Sequence, residues 1–451
     1  MPDQPSQSKP AIASKDAAAT VIVVGAGPAG AALALLLARQ GVQVVLLERR
    51  LDFSREFRGE VLVPSGLEAL SLLGLDQDVL DLPGQTMETA HIFLNGNTVV
   101  DVRFADLDTP TPVRAVSQAA LLECMVSHAA IHENFHLVRG ASVKELMRNA
   151  AGRITGVRYT CQGQALELRA KLVVGADGRN SVVRKQSGIK NRHHSPPMDI
   201  VWFKVPLKSD AAASATEAAF EFERGVRAYA GRGHLLVAYR TWGESLQIGW
   251  VILKGNFGGL RDRGIPQWVD MMAEHVSPEF GQYLQRHRDQ SVQPFLLDAV
   301  SDCVEQWSIP GVLLIGDAAH TMSPVAGQGL NLALRDALVT ANHLRPLLDP
   351  LVRSSALDGP SLLQLDQALK SIESERMQEV EPIQKMQALP PKFLLSRAWW
   401  GEPVRWLLFQ LLRIPFVRQQ GAHRIQRFLF GITNVELVGA GSGDQPAPMT
   451  P

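Results

Sequence analysis

The chain has 451 residues, 46% of them apolar, and its 45 Lys and Arg residues balance 45 Asp and Glu residues. This length accommodates two or three domains or one large α/β body, and the absence of a basic excess argues against a nucleic-acid partner. The three cysteines, Cys124, Cys161 and Cys303, form no CxxC pair, which favours a reducing, cytoplasmic location over a disulfide framework or a structural zinc site.

The first residues carry no targeting signal. Residues 1–19 are rich in Pro, Ser, Gln and Ala and lack the apolar core of a signal peptide, so they are predicted to form a disordered tail. No uninterrupted apolar stretch reaches the roughly 18 residues that a membrane span needs.

The first predicted unit binds a dinucleotide. Val21–Val24 reads as a buried strand, and Ala31–Arg39 reads as a helix of small residues. Between them, Gly25 permits a tight turn, Gly27 lets a pyrophosphate approach the backbone, and Gly30 lets the helix pack close to the strand. The helix N-terminus offers free N–H groups to a phosphate.

A second strand follows at residues 42–47 and ends in an acid, Glu48. A carboxylate at this place can accept hydrogen bonds from the adenosine ribose and repels a 2′-phosphate, which favours FAD or NAD over NADP. The predicted cofactor contacts of the whole unit are Gly25, Gly27, Pro28, Ala29, Gly30, Glu48 and Arg49.

Two further apolar strands end in an aspartate. The strand at 171–175 leads to Asp177 and Gly178, with Ser181 as a helix cap, and taken alone this segment is better explained as a capped strand–turn–helix. The strand at 312–315 leads to Gly316 and Asp317, whose carboxylate is predicted to accept hydrogen bonds from ribityl hydroxyls.

A Pro- and Gly-rich loop after Asp317 opens into a helix predicted at 330–341. Free N–H groups at this helix start would stabilise negative charge at the pyrimidine edge of a reduced flavin. The predicted contacts here are Gly316, Asp317, Gly327, Gly329, Leu330 and Asn331. Two signatures almost three hundred residues apart indicate a long cofactor held at both ends, as FAD would be.

The middle of the chain, residues 90–112 and 190–300, lacks strand–helix alternation. A hairpin is predicted from 233–240 and 245–253, within an antiparallel sheet that covers the flavin and forms the substrate pocket. Candidates to line this pocket are Trp202, His234, Tyr239, Arg240, Gln247 and Trp250; for each one singly, a place in the core is an equally good interpretation.

His128, His132 and His136 have helical spacing, but no further ligand type lies nearby, so a solvated helix end is favoured and no metal is predicted. Near the C-terminus, a polar helix is predicted at 371–386, broken near Pro382 and ended by Pro390 and Pro391. Residues 393–430 are apolar, with arginines as nearly the only charges. They favour packing against the protein or a partner subunit, as in a homodimer, and peripheral contact with a membrane surface stays open.

Taken together, the motifs Gly25–Gly30, 175–178, 316–320 and 324–331 resemble the class A flavoprotein monooxygenases, which share the para-hydroxybenzoate hydroxylase fold. The loop at 321–336 is most similar to the ubiquinone-biosynthesis hydroxylase branch. The fold implied is α/β: a Rossmann-like FAD-binding domain (20–90, 113–189 and 301–345), an antiparallel β-sheet substrate domain (91–112 and 190–300) and a helical C-terminal region (346–451).

The resemblance implies that NADH or NADPH, docking transiently, reduces FAD and that O2 then forms a C4a-hydroperoxyflavin, which hydroxylates an aromatic or lipophilic molecule. It places Arg58, His320 and Pro324 near the flavin and makes Gln118 and Asp177 cofactor contacts. A flavin-dependent reductase or cyclase of a lipid and a non-enzymatic flavoprotein remain alternatives. A halogenase is disfavoured, because no lysine occurs between Lys15 and Lys144 and the Trp-x-Trp-x-Ile-Pro motif is absent.

Overall fold

A computed structural model describes residues 18–54, 61–106, 112–194, 198–207, 224–231, 234–242, 245–290, 294–348, 359–394, 407, 410 and 429–438. Within this part of the chain, the strands are β1 (Ala18–Val24), β2 (Val44–Glu48), β3 (Val61–Leu62), β4 (Gly84–Met87), β5 (Thr89–Leu94), β6 (Asn97–Arg103), β7 (Val113–Val116), β8 (Phe135–Arg139), β9 (Ser142–Arg148), β10 (Ile154–Cys161), β11 (Gln164–Gly175), β12 (Asn191–His194), β13 (Met198–Pro206), β14 (Gly225–Gly231), β15 (His234–Arg240), β16 (Ser245–Leu253), β17 (Phe295–Asp298), β18 (Ser301–Val304), β19 (Ser308–Ile309), β20 (Val312–Leu314) and β21 (His320–Thr321). The α-helices are α1 (Pro28–Arg39), α2 (Pro64–Leu72), α3 (Asp76–Asp81), α4 (Gln118–Ala129), α5 (Val182–Ser187), α6 (Phe257–Arg263), α7 (Ile265–Ala273), α8 (Pro278–Arg286), α9 (Gln328–Leu348) and α10 (Gly359–Leu394).

The nucleotide-binding sheet has the order β19-β20-β11-β1-β2-β8, with β9 and β10 added on the β11 side. Strands β20, β11, β1, β2 and β8 run parallel. From β1 the chain proceeds to β2 on one side and returns to β11 on the other, so a topological switch point lies between β1 and β11. Ligands of open parallel sheets bind at the carboxyl ends of the strands at such a point.

The first strand begins earlier than expected. Ala18 and Ala19 pair with Arg169 and Ala170 of β11, so the prediction that the tail extends to residue 19 is wrong at its end. Residues 1–17 lie outside the described part of the chain. Helix α1 starts at Pro28 rather than Ala31, because a proline at the first helical position lacks only an N–H that has no helical acceptor there.

The second sheet is the predicted antiparallel one, with the order β17-β13-β16-β15-β14-β5-β6 and a single parallel pair, β14 with β5. The predicted hairpin is confirmed as β15 and β16. Alternate side chains of a strand point to opposite faces. One face packs on α6, α7 and α8 in a cluster that includes Phe203, Ile248, Trp250, Trp268 and Phe280. The other face packs against β3, β4, β7 and the loop at Val325.

Helix α10 is longer than predicted. It runs without interruption from Gly359 to Leu394, so the expected break at Pro382 and the expected end at Pro390 are both wrong. A proline inside a helix costs a backbone hydrogen bond. Buried residues on both sides of Pro382, Val380 and Ile383, anchor the helix and offset that cost.

Among the described helices, none is long and apolar enough to cross a membrane. Most of the 393–430 stretch lies outside the described residues, and so does the segment 208–223. Leu407 is exposed, whereas Leu429 packs beside Tyr239 of the second sheet. From there the described end of the chain continues to α9 and α10, where Thr433 binds Arg335 and the Ile432 N–H donates to Glu379.

Candidate cofactor and substrate site

The glycine turn after β1 is shaped by two close backbone approaches. Gly25 has φ +99°, and a Cβ there would lie 2.5 Å from the carbonyl oxygen of Ala176. A Cβ on Gly30 would lie 1.9 Å from the carbonyl oxygen of Gly25. At Gly27, in contrast, the nearest atom to an added Cβ is 4.0 Å away. Gly25 and Gly30 are thus required by packing, and Gly27 leaves open space beside the N-terminus of α1.

Glu48 lies at the mouth of this turn and is only 4% exposed. Its Oε2 accepts a hydrogen bond from the Ala26 N–H at 2.9 Å, and its Oε1 accepts one from the Arg50 N–H at 2.9 Å. A carboxylate oxygen can accept more than one hydrogen bond, so a ribose hydroxyl could share this carboxylate. Arg49, predicted with it, is exposed.

Asp177 caps helix α5. Its carboxylate accepts hydrogen bonds from the Ser181 hydroxyl, from the Val182 N–H at 2.6 Å and from the Val183 N–H at 3.2 Å. Burial raises the pKa of Asp177, and these hydrogen bonds oppose that rise. The structure therefore realises the capping interpretation of this segment and places the carboxylate on the protein's own backbone.

Asp317 forms an ion pair that the sequence analysis missed. Arg179 Nε lies 3.3 Å from Asp317 Oδ2, and both side chains are about one-third exposed. Asp317 Oδ1 lies 4.0 Å from the position of a Cβ on Gly329, so the carboxylate sits beside the first turn of α9. The only sequence signal for Arg179 was its position directly after the Asp177–Gly178 turn.

The start of α9 is held by the side chain of Asn331, which is fully buried. Its Oδ1 accepts from the Val63 N–H at 3.1 Å, and its Nδ2 donates to the carbonyl oxygens of Val61 at 3.1 Å and Gly327 at 3.0 Å. Because α9 begins at Gln328, the first-turn amides, those of Gly329 and Leu330 among them, have no helical acceptor. Asn331 thus ties the predicted anion-stabilising helix start to β3.

A buried carboxylate, Asp336, organises the loop before α9. Its Oδ2 accepts from the Gly316 N–H at 2.8 Å and lies 2.6 Å from His320 Nε2, and its Oδ1 accepts from Arg376 Nε at 2.7 Å. Burial alone would raise the pKa of Asp336, but the charges of His320 and Arg376 and their hydrogen bonds outweigh it and lower the pKa to about 2. The Gly316–Asp317 turn is therefore anchored by an ionised group in the core.

The network continues through Glu379, which joins Arg376 Nη1 at 2.6 Å to Arg335 Nε at 2.9 Å. His320 also stacks on Trp307, with ring centroids 5.0 Å apart. His320 is 1% exposed. It was predicted near the flavin; the structure places it in the core, where it supports the turn through Asp336.

Of the six candidate pocket residues, three share the face of the second sheet that lies opposite α6, α7 and α8. Trp202 pairs with Gly249 across β13 and β16, and Tyr239 pairs with Gln247 across β15 and β16, which puts these side chains on one side. The Trp202 and Tyr239 rings meet edge to face at 6.4 Å. We call this surface, formed by Trp202, Tyr239, Gln247 and Gly249, the aromatic face.

The other three candidates do not lie on the aromatic face. Trp250 is buried in the helix-packed cluster on the opposite side, and His234 stacks on His275 there at 3.7 Å. Arg240 has the same parity as Trp250 along the paired strands and is exposed at the end of β15. Successive residues of a strand lie on opposite faces of the sheet. The composition of the hairpin did not show which of the two sets of residues belongs to the aromatic face.

The aromatic face is opposed by the loop that follows Pro324. Val325 packs in the cluster of Ile200 and Trp202, and Val61 of β3 packs in the cluster of Tyr239. Pro324 itself is half-buried, directly before Val325. Among the remaining predicted contacts, Gln118 is the half-buried first residue of α4, and Arg58 lies outside the described residues.

A cavity of about 410 Å³ opens beside the Asp177–Gly178 turn. Its lining carries three cationic side chains, and the polar and charged residues around it are Arg179, Asn180, Arg184, Lys185, Asn191, Asp302 and Thr321. Arg184 is held in place by donating to the Ala318 carbonyl oxygen at 2.8 Å. The sequence analysis did not identify this cavity, because β12, β18 and α5 approach it from distant parts of the chain.

His128 does not combine with His132 and His136. Its Nε2 lies 3.5 Å from Asp78 Oδ2, and its Nδ1 lies 3.8 Å from Cys124 Sγ. Among the described residues, these three form the single group whose donor atoms are close enough for a metal ion. Burial and the nearby Asp78 raise the pKa of Cys124 to about 11.

Comparison with known proteins bears on this site. The chain matches the protein family described as FAD binding domain over residues 18–358. It is 31% identical over 389 residues to 6-methylpretetramide 4-monooxygenase of Streptomyces rimosus, covering 85% of this chain and 86% of that protein. It is 28% identical over 391 residues to ubiquinone hydroxylase UbiL of Rhodospirillum rubrum, covering 82% and 81%.

Among solved structures, p-nitrophenol 4-monooxygenase PnpA from Pseudomonas putida DLL-E4 has a TM-score of 0.73 at 18% identity, covering 93% of this chain and 100% of that one. At this level of identity, the likeness concerns the fold. It confirms the predicted fold class.

Gly30 and Gly27 allow a paired test of the turn. Gly30→Ala should lower the free energy of unfolding by about 1–3 kcal/mol, because the new methyl group overlaps the Gly25 carbonyl oxygen. Gly27→Ala should leave stability within about 0.5 kcal/mol yet weaken FAD binding roughly tenfold, since its methyl group enters the open space of the turn. Urea unfolding of the flavin-free protein and fluorimetric FAD titration measure the two effects. Equal loss of stability in both variants would contradict the assignment.

The ionised state of Asp336 predicts a pH dependence. Because its folded pKa is about 2, below the ordinary value of 3.8, its contribution of roughly 2 kcal/mol is present above about pH 4 and is lost as the pH falls through about 2. Asp336→Asn should cost about 3–5 kcal/mol near pH 7 and remove this acid-dependent component. Denaturant unfolding from neutral to acid pH, with exposed Asp106→Asn as the control, measures it. An unchanged pH profile in Asp336→Asn would refute the assignment.

Proposed function

The chain belongs to the FAD binding domain family of flavoprotein monooxygenases, and from that premise we propose that it hydroxylates a planar aromatic molecule held against the aromatic face. The protein is an FAD-dependent monooxygenase that uses NAD(P)H and O2 and acts on a small molecule. What remains to be assigned is the substrate.

The observation that carries this proposal is the composition of the face opposite Pro324. Trp202 lies over Gly249, where a Cβ would come within 2.7 Å of its ring, so the indole lies flat on the sheet. Tyr239 meets its edge, and Gln247 supplies the polar group beside them. Flat aromatic side chains with one amide favour a planar ring system that carries a polar substituent.

Gln247 carries a buried acceptor atom that no described residue uses. Its Nε2 donates to the Phe203 carbonyl oxygen at 3.1 Å, while its Oε1 is buried and has no hydrogen-bond partner among the described residues. A buried acceptor without a donor is costly, and a hydroxyl or N–H group of a substrate would satisfy it. A site of this kind discriminates strongly against analogues that lack the donor.

The glycine turn with Glu48 and the Asp317 turn with the start of α9 form two ends of a site that fits FAD. The open space at Gly27 and the N-terminus of α1 suit a pyrophosphate, and the buried carboxylate of Glu48 suits a ribose. At the other end, Asp317 would accept from ribityl hydroxyls, and the first-turn amides of α9 would stabilise negative charge on the pyrimidine edge. When bound, FAD supplies the reduction of O2 and the transfer of one oxygen atom.

The protein's contribution is to orient the substrate and exclude water. Val325 and Val61 close the apolar side of the site against Trp202 and Tyr239, so a bound ring system would be shielded from solvent. Exclusion of water strengthens the electrostatic effect of the α9 amides. Holding the substrate ring at one orientation selects the carbon that receives oxygen.

The names of these two relatives point to different substrates. One is named a 6-methylpretetramide 4-monooxygenase and the other a ubiquinone hydroxylase. A flavin-dependent reductase or cyclase of a lipid is the second candidate, but no contact on the aromatic face favours it. Dependence on O2 separates the two, because a reductase or cyclase does not consume oxygen.

The function is tested by purifying the protein with FAD and screening phenols, naphthols and polycyclic aromatic compounds for faster NADH or NADPH oxidation. A substrate should stimulate oxidation and consume O2 one for one with nicotinamide, and its product should gain one oxygen atom. Equal conversion under anaerobic conditions would overturn the proposal. Stimulation by isoprenoid lipids but by no aromatic compound would overturn the substrate class.

Two tryptophans on opposite sides of the sheet allow a matched comparison. Trp202→Leu should raise the KM of an active aromatic compound roughly tenfold, because it removes the flat surface that we assign to the substrate. Trp250→Leu should leave that KM within about twofold and instead lower the free energy of unfolding by about 3 kcal/mol, since it opens a cavity in the helix-packed core. Steady-state kinetics and urea unfolding measure both. A larger KM change in Trp250→Leu would contradict the orientation.

We infer that the cationic cavity beside Asp177 and Gly178 receives the phosphates of NADH or NADPH. Arg179 and Lys185 bring positive charge to this cavity. Arg179 also forms an ion pair with Asp317. Lys185→Glu should raise the KM for NAD(P)H several-fold at low salt and reduce its salt dependence, with FAD content unchanged. Lys144→Glu, an equally exposed charge reversal on β9, is the control. Equal effects of both substitutions would argue against this cavity.

A further inference from the structure

We infer that Gln387 of α10 is a positioning residue for the flavin: it fixes the Ser323–Gly327 loop between the cofactor and the aromatic face. This inference rests on the FAD assignment made above but not on the substrate class. It concerns a helix that begins at Gly359, beyond the residues 18–358 that match the FAD binding domain family.

Gln387 contacts the two residues that flank Pro324. Its Nε2 donates to the Ser323 carbonyl oxygen at 3.0 Å and to the Val325 carbonyl oxygen at 2.7 Å. Gln387 is 1% exposed, so both hydrogen bonds are shielded from water. One amide group thereby holds the backbone on both sides of a proline, which has no N–H of its own with which to fix the turn.

The rest of α10 is anchored along the same stretch of chain. Glu373 accepts from the Trp307 N–H at 3.0 Å, and Arg376 binds Asp336. Gln384 Nε2 donates to the carbonyl oxygens of Asp302 at 3.0 Å and Thr321 at 3.2 Å. These residues recur at helical spacing on one face, so α10 forms a rigid support from which Gln387 reaches the loop.

The loop is held at its other end by the start of α9. Asn331 Nδ2 donates to the Gly327 carbonyl oxygen at 3.0 Å, and Gly327 itself donates its N–H to the Pro324 carbonyl oxygen at 3.1 Å. Between these anchors, Val325 packs against Ile200 and Trp202. A shift of the loop would therefore change both the start of α9 and the wall of the substrate site.

A purely structural role would affect stability without a specific effect on the flavin, which gives the experiment its contrast. In Gln387→Met, the Ser323 and Val325 carbonyl oxygens lose their donor while the side-chain volume is nearly kept. Gln384→Met is the matched control, because it removes the same kind of amide from the same helix but from Thr321 and Asp302. The readouts are the FAD dissociation constant, the visible spectrum of bound FAD and its midpoint potential, together with thermal unfolding.

We expect both variants to lose a similar amount of thermal stability. Only Gln387→Met should weaken FAD binding, by roughly tenfold, and shift the visible spectrum and the midpoint potential. The inference is overturned if Gln387→Met binds FAD with an unchanged spectrum and potential, or if Gln384→Met changes them equally. Wild-type protein that fails to bind FAD would instead refute the cofactor assignment, so the two failures are distinguishable.

A second variant keeps the test decisive if Gln387→Met does not fold. Gln387→Glu has almost the same shape, and its carboxylate cannot donate a hydrogen bond while it is ionised. Once protonated, it can donate to one of the two carbonyl oxygens. The flavin spectrum of Gln387→Glu should therefore approach that of the wild type as the pH is lowered, while the wild-type spectrum stays constant over the same range. A spectrum of Gln387→Glu that does not depend on pH would refute the positioning role.

Discussion

The loop before α9 depends on one interaction, the pairing of the ionised Asp336 carboxylate with its buried donors. It is completely buried, and it remains charged because Gly316, His320 and Arg376 all direct donors at it. A buried charge is tolerable only when it is paired and hydrogen-bonded. If the Gly316–Asp317 turn moved, the buried charge of Asp336 would lose a donor. The turn is therefore held in the position that the proposed FAD site requires.

The two ends of the site that we propose for FAD are built by different physical means. At the adenosine end, close packing decides the geometry, since Gly25 and Gly30 leave no room for a Cβ. At the flavin end, electrostatics decides it through Asp336, Glu379 and their arginine partners. Helix α10 supplies Arg376 and Glu379, so the flavin end is complete only when a helix beyond the family match has packed onto the loop.

The same helix contacts the segment between the proposed flavin site and the proposed substrate site. Its residues contact the chain from Trp307 to Val325, and Val325 is also a wall of the aromatic face. A substrate lying against Trp202 and a flavin lying against the start of α9 would therefore be separated by one loop, which packs on the second sheet and is hydrogen-bonded to α9 and α10. The fold positions the reacting partners by packing rigid elements around a short segment of backbone.

The sequence by itself determined the local units: the glycine turn with Glu48, the strand ending in Asp317, the start of α9 and the hairpin of β15 and β16. These depend on short-range spacing and strand periodicity, which are visible in one stretch of chain. Only the tertiary structure decided the partners of Asp336 and Asp317, the continuity of α10 through Pro382, and the face on which Trp202 and Trp250 lie. Arg179 and Arg376 are far from their partners along the chain, and a strand pattern assigns residues to two faces without saying which face meets the cofactor, because that choice is made by what packs against the sheet.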